Sequence, residues 1–405
     1  MTARAGASPL TRRRILVLYS TLAVGGAERQ LALLAPGLRD RGFDLCIATL
    51  RHQGRYFDAL RASGFETAHV NMRSRTDLLG VLRGYRLWRS RPALVLTQSV
   101  NAHVIGQAIA RRTRSAHVAI EQSGPGMQHG WQRRALSKLA ARGVDRVVAV
   151  SRSQIPELRQ LGYTAEAIRI IPNGSTEPLV TRPPAEVRRE LGLAENDVVV
   201  LLVAALRPEK RADVFVDAIA LARARDPRVR GLIAGGGPLL EEIQRRATST
   251  RDGLLVLGER SDVPNLMNCA DLVALSSDVE GIPLAVVEAM AVGRPVIATD
   301  VGGIPEVVAP STGMLVPPRS PAALSQAILE LAAAPGVRAA LGAEGRAQFV
   351  ANFTADLMVE RYARLLDEVI FANRRAPSHS ERHGRWAPRA SGELEEGSPS
   401  PSAEA

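Results

Sequence analysis

The chain has 405 residues, 46% of them hydrophobic and 4% aromatic, and a formal net charge of +11. That is enough apolar material for two cores of ordinary size, and it excludes a disordered or fibrous chain. Two cysteines exclude a disulfide framework and a thiolate metal site, and no apolar run has the length of a bilayer span.

Residues 1–13 read as a flexible, Arg-rich lead without the apolar segment of a signal peptide, so a reducing cytoplasm is the expected location. Arg14–Ser20 predicts the first strand, followed by a loop at Thr21–Gly26 and a helix over Ala27–Arg39. Apolar segments at 45–50, 66–70, 93–98, 116–121, 144–150 and 168–171 predict the other strands of a first domain, residues 14–178. The turn-rich passage from Pro172-Asn173-Gly174 to Arg182-Pro183-Pro184 places a hinge near 173–183. A second domain, 179–352, restarts with segments at 198–205, 229–234, 254–257, 271–275, 295–299 and 314–316. Cys46 and Cys269 each fall within strand-like sequence. A last amphipathic helix is expected over 353–374, and 375–405, rich in Ser, Pro, Glu and Arg, as a disordered tail. Val-, Ile- and Leu-rich strands alternating with helices predict the α/β class: two Rossmann-like, doubly wound domains facing a central cleft.

In such folds, ligands sit at loops on the carboxyl ends of strands. Three loops stand out. Gly25-Gly26 follows the first strand, where a backbone without side chains makes a tight turn or lets a ligand approach closely. Arg207-Pro208-Glu209-Lys210 follows the first strand of the second domain, and Lys210 is one of only two lysines, the other being Lys138. In so Arg-rich a chain, a lysine there suits a point charge at a phosphate. The segment Ser276 to Met290 runs from a strand into a helix, with Pro283 expected at the first helical position, Glu280 before the helix and Glu288 inside it. Unpaired amides at a helix start attract an anion, and flanking carboxylates suit the hydroxyls of a sugar joined to phosphate. An ordinary strand, turn and helix with two solvated glutamates fits the same pattern.

Charge is uneven: residues 1–180 hold 27 Arg plus Lys against 11 Asp plus Glu. Trp131, Arg133, Arg134, Lys138 and Arg142 share one predicted helix, with Ala135, Leu136 and Leu139 on its opposite side. Such a helix can lie on an anionic membrane, or it is simply a solvated basic face. Nucleic acid is not an expected partner, because no nucleic-acid motif or aromatic stacking platform accompanies the charge.

Taken together, Ala204 to Lys210, Ala234-Gly235-Gly236-Gly237-Pro238, Gly258 to Val263, Glu280 to Leu284 and Glu288-Ala289-Met290 resemble the GT4 family of retaining glycosyltransferases with the GT-B fold. Gly25 to Glu28, Val150-Ser151 and Pro172-Asn173-Gly174 look like that family's amino-terminal loop and hinge approach, so the resemblance spans about 14–370. It implies transfer of a sugar from a nucleotide-sugar donor, a UDP-sugar or GDP-mannose, to a glycan or lipid-linked acceptor in envelope glycan or glycolipid synthesis. Arg207 and Lys210 would neutralise the donor diphosphate, with Gly25 and Gly26 close by on the other domain. Leu257, Gly258 and Arg260 would face the nucleobase, Glu288 the ribose, and Glu280 the transferred sugar, with the amides of Gly281, Ile282 and Leu284 on its phosphate side. Arg207, Lys210 and Glu280 would carry the catalysis. A nucleotide-sugar epimerase or phosphorylase on the same fold, or a silent binding subunit, is the alternative.

No metal is expected, since there is no Asp-x-Asp motif, the nearest being Asp278-Val279-Glu280, and the Arg/Lys pair supplies positive charge. No cofactor is expected beyond the donor itself. One departure stands out: where many relatives have a histidine after the strand ending Ala119-Ile120-Glu121, this chain has Gln122, which donates a hydrogen bond but does not titrate near neutral pH. His103, His117 and His129 lie near in sequence and read as plain surface histidines.

Overall fold

The computed structural model describes residues 13–23, 25–74, 77–122, 131–248 and 253–375. The expected flexible lead and disordered tail therefore lie outside the described residues but for Arg13 and Arg375, as does His129.

The first domain runs β1 (Arg14–Thr21), α1 (Gly26–Asp40), β2 (Asp44–His52), α2 (Arg55–Ala62), β3 (Glu66–His69), α3 (Leu78–Tyr85), β4 (Leu94–Gln98), α4 (Val100–Thr113), β5 (Ala116–Glu121), α5 (Trp131–Ala141), β6 (Arg146–Ala149), α6 (Ile155–Gln160) and β7 (Ile168–Ile170). The second runs α7 (Pro184–Glu190), β8 (Val198–Val203), α8 (Ala212–Arg225), β9 (Val229–Ala234), α9 (Leu240–Thr248), β10 (Leu254–Gly258), α10 (Val263–Cys269), β11 (Leu272–Leu275), α11 (Leu284–Val292), β12 (Val296–Thr299), β13 (Gly313–Val316), α12 (Pro321–Ala333) and α13 (Pro335–Asn352). A final helix, α14 (Ala355–Arg375), follows.

Both sheets are parallel, in the orders β3-β2-β1-β4-β5-β6-β7 and β10-β9-β8-β11-β12-β13. Residues on both faces of their central strands are buried. In β1, Ile15, Val17 and Tyr19 enter a core with α1, α2 and α14, while Leu16 and Leu18 enter one with α4. This explains why the strands read as continuous apolar runs. Strand order reverses between β1 and β4 and again between β8 and β11, the points at which open parallel sheets of this kind place their ligand crevices.

The last helix leaves the second domain and packs on the first: Val359, Tyr362 and Leu366 join the core under α1. A Cβ at Gly37 would lie 2.7 Å from Val359 Cγ1, so glycine permits this close approach of α14 to α1. The crossing is pinned at the hinge by Ser175 N to Phe353 O (2.9 Å) and Ala355 N to Ser175 O (2.8 Å). No helix among the described residues is long and apolar enough to cross a membrane.

Two local expectations need correction, and the seating of α5 adds a third local feature. Cys269 ends α10 instead of lying in a strand, because Pro264 opens a short helix and Leu266 and Met267 turn inward. Pro283 is the cap residue, with extended ψ of 129°, and α11 begins at Leu284. In α5 the buried side is Ser137, Ala140 and Ala141, while Ala135, Leu136 and Leu139 are exposed. Small side chains let this helix sit close to α4, and close approach outweighs the larger apolar area of the leucines.

Candidate active site

The loops after β8 and β11 meet at the switch point of the second domain, and Glu280 is their centre. It is 7% exposed, and one carboxylate oxygen accepts from both Lys210 Nζ (2.6 Å) and Ser277 Oγ (2.7 Å). The loops are tied together: Ser276 Oγ donates to Lys210 O (3.1 Å) and Arg211 O (2.8 Å), and Asp278 N donates to Glu209 O (2.8 Å). Thr299 Oγ1 holds Ser277 O from β12 at 2.6 Å. Behind Glu280, Gly302 adopts φ +54°, and a Cβ there would lie 1.9 Å from Glu280 O. Glycine is therefore required both for the left-handed backbone and for space. The result is a buried carboxylate and an ammonium held in fixed positions.

The first domain faces this centre with α1 and the ends of β5 and β6. Arg29 pairs with Glu288 across the cleft. Burial pushes the Glu288 carboxyl above its ordinary value, and Arg29 opposes that rise. Glu28 is likewise pushed up by burial, against the pull of Arg207. A Cβ at Gly26 would sit 3.7 Å from Leu284 Cδ1, and one at Gly281 would sit 3.2 Å from Gln122 O. Gln122 Oε1 is buried with no hydrogen-bond partner among the described residues. The domains are further joined by Asn173 Nδ2 to Ile282 O (2.9 Å) and by Glu306, which accepts from the amides of Arg152 (2.8 Å) and Ser153 (2.9 Å).

On the outer side, Gly258 adopts φ +67° with open space where a Cβ would point, and its carbonyl accepts from Gly235 N (2.7 Å). Leu257 beside it is partly buried. Arg260 departs from the expected grouping. Its guanidinium grips Asp262 with two bonds of 2.8 Å and reaches Glu190 at 3.3 Å, so the side chain is committed to a surface network with α7. Of the other expected residues, Gly26 approaches Leu284, Gly281 approaches Gln122, and Lys210 meets Glu280, while Ile282 is buried in the second domain's core.

Two family models match: Glycosyltransferase Family 4 over residues 24–175, and Glycosyl transferases group 1 over residues 197–334. A GDP-mannose-dependent monoacylated alpha-(1-6)-phosphatidylinositol monomannoside mannosyltransferase of Corynebacterium glutamicum is 30% identical over 259 residues, covering 60% of this chain and 68% of the relative. The chain belongs to glycosyltransferase family 4. Another relative of this glycosyltransferase, a GDP-mannose-dependent alpha-(1-6)-phosphatidylinositol monomannoside mannosyltransferase of Mycolicibacterium smegmatis, is 31% identical over 64% of this chain and 72% of its own. The solved structure of HepE from Anabaena in complex with UDP superposes with a TM-score of 0.79 at 25% identity, covering 88% of this chain and all of that one. The fold is GT-B.

Sequence reasoning missed several residues of this glycosyltransferase. Arg29 and Glu306 carried no motif signal, since each earns its place through a partner distant in sequence, while Ser277 and Asn173 stood inside segments already singled out without a contact being read for either. His103 and His117 are buried, not surface residues. Thr97 Oγ1 bridges them, 2.7 Å from His103 Nδ1 and 2.9 Å from His117 Nε2, and His103 Nε2 reaches Glu121 Oε1 at 3.1 Å. Burial drives His117 down to about 3, so it stays neutral at physiological pH. This ladder ends at Glu121, directly before Gln122, and so braces the site wall from inside the sheet. In α5, Arg134 is exposed and donates to Gln160 Oε1 (3.1 Å), and Lys138 is exposed. The side chains of Trp131 and Arg133 lie outside the described residues.

Proposed function

We propose that this glycosyltransferase moves a hexosyl group, with retention and without a metal, from a UDP-sugar or GDP-mannose to a glycan or lipid-linked acceptor in envelope synthesis. The observation that carries the reading is the Lys210–Glu280–Ser277 group, held opposite Gly26 and Gln122 across the crevice. GDP-mannose use by the two named relatives and the UDP bound to HepE support a nucleotide-sugar donor.

In the proposed reaction the bond between the anomeric carbon and the phosphate oxygen breaks, and a bond to the acceptor oxygen forms on the same face. The acceptor proton goes to the leaving phosphate. Negative charge grows on the diphosphate as the bond breaks, so Arg207 and Lys210 act where stabilisation lowers the barrier most directly. Lys210 gives one of its three N–H donors to Glu280 and has others to aim at phosphate. Each ~1.4 kcal/mol gained there is about tenfold in rate. Glu280 accepts from sugar hydroxyls, Glu288 from the ribose, and the buried Gln122 Oε1 gains a partner from the donor sugar.

Calorimetry with UDP, GDP and ADP tests this reading, with Lys210→Ala and Glu288→Ala alongside. One nucleotide binds selectively, and each variant weakens it by about 10- to 100-fold, as expected for loss of a charged hydrogen bond of ~1.5–3 kcal/mol. If no nucleotide binds, the donor site is misassigned. Donor consumption without an acceptor would point to an epimerase instead.

A further inference from the structure

We propose that the face of the first domain built by α3, α4 and α5 docks on an anionic lipid surface, with the leucines of α3 as the inserting element. α3 is seated by its small and inward residues. A Cβ at Gly80 would lie 2.6 Å from Met72 Cγ, Gly84 packs against Ile105, and Val81 and Tyr85 pack against the core below. Asp77 caps the helix by accepting from Gly80 N (2.8 Å), which fixes its rotation. Leu78, Leu79 and Leu82 are thereby turned outward, 78%, 68% and 58% exposed. Three neighbouring leucines held out by a capped, well-seated helix form an apolar patch, unlike scattered single exposures.

The charge around the patch selects the occupant. Residues 71–142 contain 13 Arg plus Lys and only two acidic residues. Neither acid opposes an anionic surface: Asp77 is spent on the α3 cap and on Arg83 (3.2 Å), and Glu121 faces His103 inside the domain. Arg73, Arg86 and Arg89 are exposed near α3. Beyond α4, which packs against both neighbours, α5 presents exposed Leu136 and Leu139 with Lys138 and Arg142. Apolar side chains rimmed by cations match a bilayer with acidic headgroups. α3 follows β3 and α5 follows β5, so both helices start at the carboxyl edge of the sheet, where the cleft opens. Docking here brings a lipid-linked acceptor to the cleft mouth, and this orientation argument alone rests on the proposed acceptor.

Flotation of the full chain with vesicles of phosphatidylcholine, alone or mixed with phosphatidylglycerol, tests the surface. The chain floats with the mixed vesicles only. Leu78→Gln/Leu79→Gln/Leu82→Gln, which keeps helix-forming residues, lowers the partition by about 10- to 100-fold. Arg86→Glu/Arg89→Glu lowers it by at least about tenfold at low salt. Nucleotide calorimetry on the same variants stays unchanged, which separates failure of this surface from failure of the donor site and checks folding. Equal flotation of the leucine variant overturns the proposal, as does no flotation of the unaltered chain. Concentration-dependent dimerisation lost in the leucine variant, without vesicle binding, would assign the patch to a second copy instead.

Discussion

Replacing Lys210 by Met removes an ammonium from a carboxylate that is 7% exposed, leaving Ser277 as its remaining donor among the described side chains. Breaking a fully buried pair costs about 3–5 kcal/mol. Lys210 is itself 24% exposed on its side chain, so water replaces part of the lost interaction, and about 2 kcal/mol is expected. In a domain of this size that lowers the melting temperature by roughly 4–8 °C. The companion change Glu280→Gln removes the stranded charge. The double variant should therefore be less destabilised than the two single changes added together, with a coupling of about 1–2 kcal/mol. Turnover separates structure from chemistry: kcat/KM falls at least ~100-fold in Lys210→Met and stays low in the double variant, because the phosphate has still lost its cation. Additivity within about 0.5 kcal/mol would refute the pair as a coupled unit in solution. Recovered turnover in the double variant would refute the role at phosphate.

Two further outcomes follow from the same geometry. Burial raises the Glu28 carboxyl above its ordinary 4.5, so the folded state binds more protons than the unfolded chain as pH rises past that value. Stability from this group is fully present below 4.5 and lost through its raised folded value; denaturation of Glu28→Gln across pH 4–8 should show a smaller decline than the unaltered chain, and parallel curves would refute the assignment. Gly302→Ala meets both a φ of +54° and a Cβ placed 1.9 Å from Glu280 O, so the loop must shift. A stability loss of at least ~1–3 kcal/mol with a large drop in kcat is expected, and near-native turnover would show that the position of Glu280 is not critical.

How far the molecule was legible depended on whether a residue's role was local. The parallel sheets were readable because strands buried on both faces are continuous apolar runs, and the crevice loops because they sit where strand order reverses. The buried histidines left a faint signal. His103 lies on the helical stripe of Val100, Gln107 and Ala110, all buried, and His117 stands between buried Ala116 and Val118. Polar residues at core positions of an apolar helix and strand imply an internal partner, here Thr97. Arg29 with Glu288 left none, because the pair exists only when two domains close.

The rotation of α5 follows a rule that also governs α3. An apolar count turns the leucines inward, but α5 is seated on Ser137, Ala140 and Ala141 and α3 on Gly80 and Gly84. A helix set close to its sheet and neighbours gains contact along its whole small-residue edge, which a leucine on that edge would prop away. The same choice in two helices on one face leaves Leu78, Leu79, Leu82, Leu136 and Leu139 exposed among arginines. Charge on that face was legible because it needs no register. The apolar component was not, because the side a leucine takes is decided by how closely the backbone beneath it is allowed to approach.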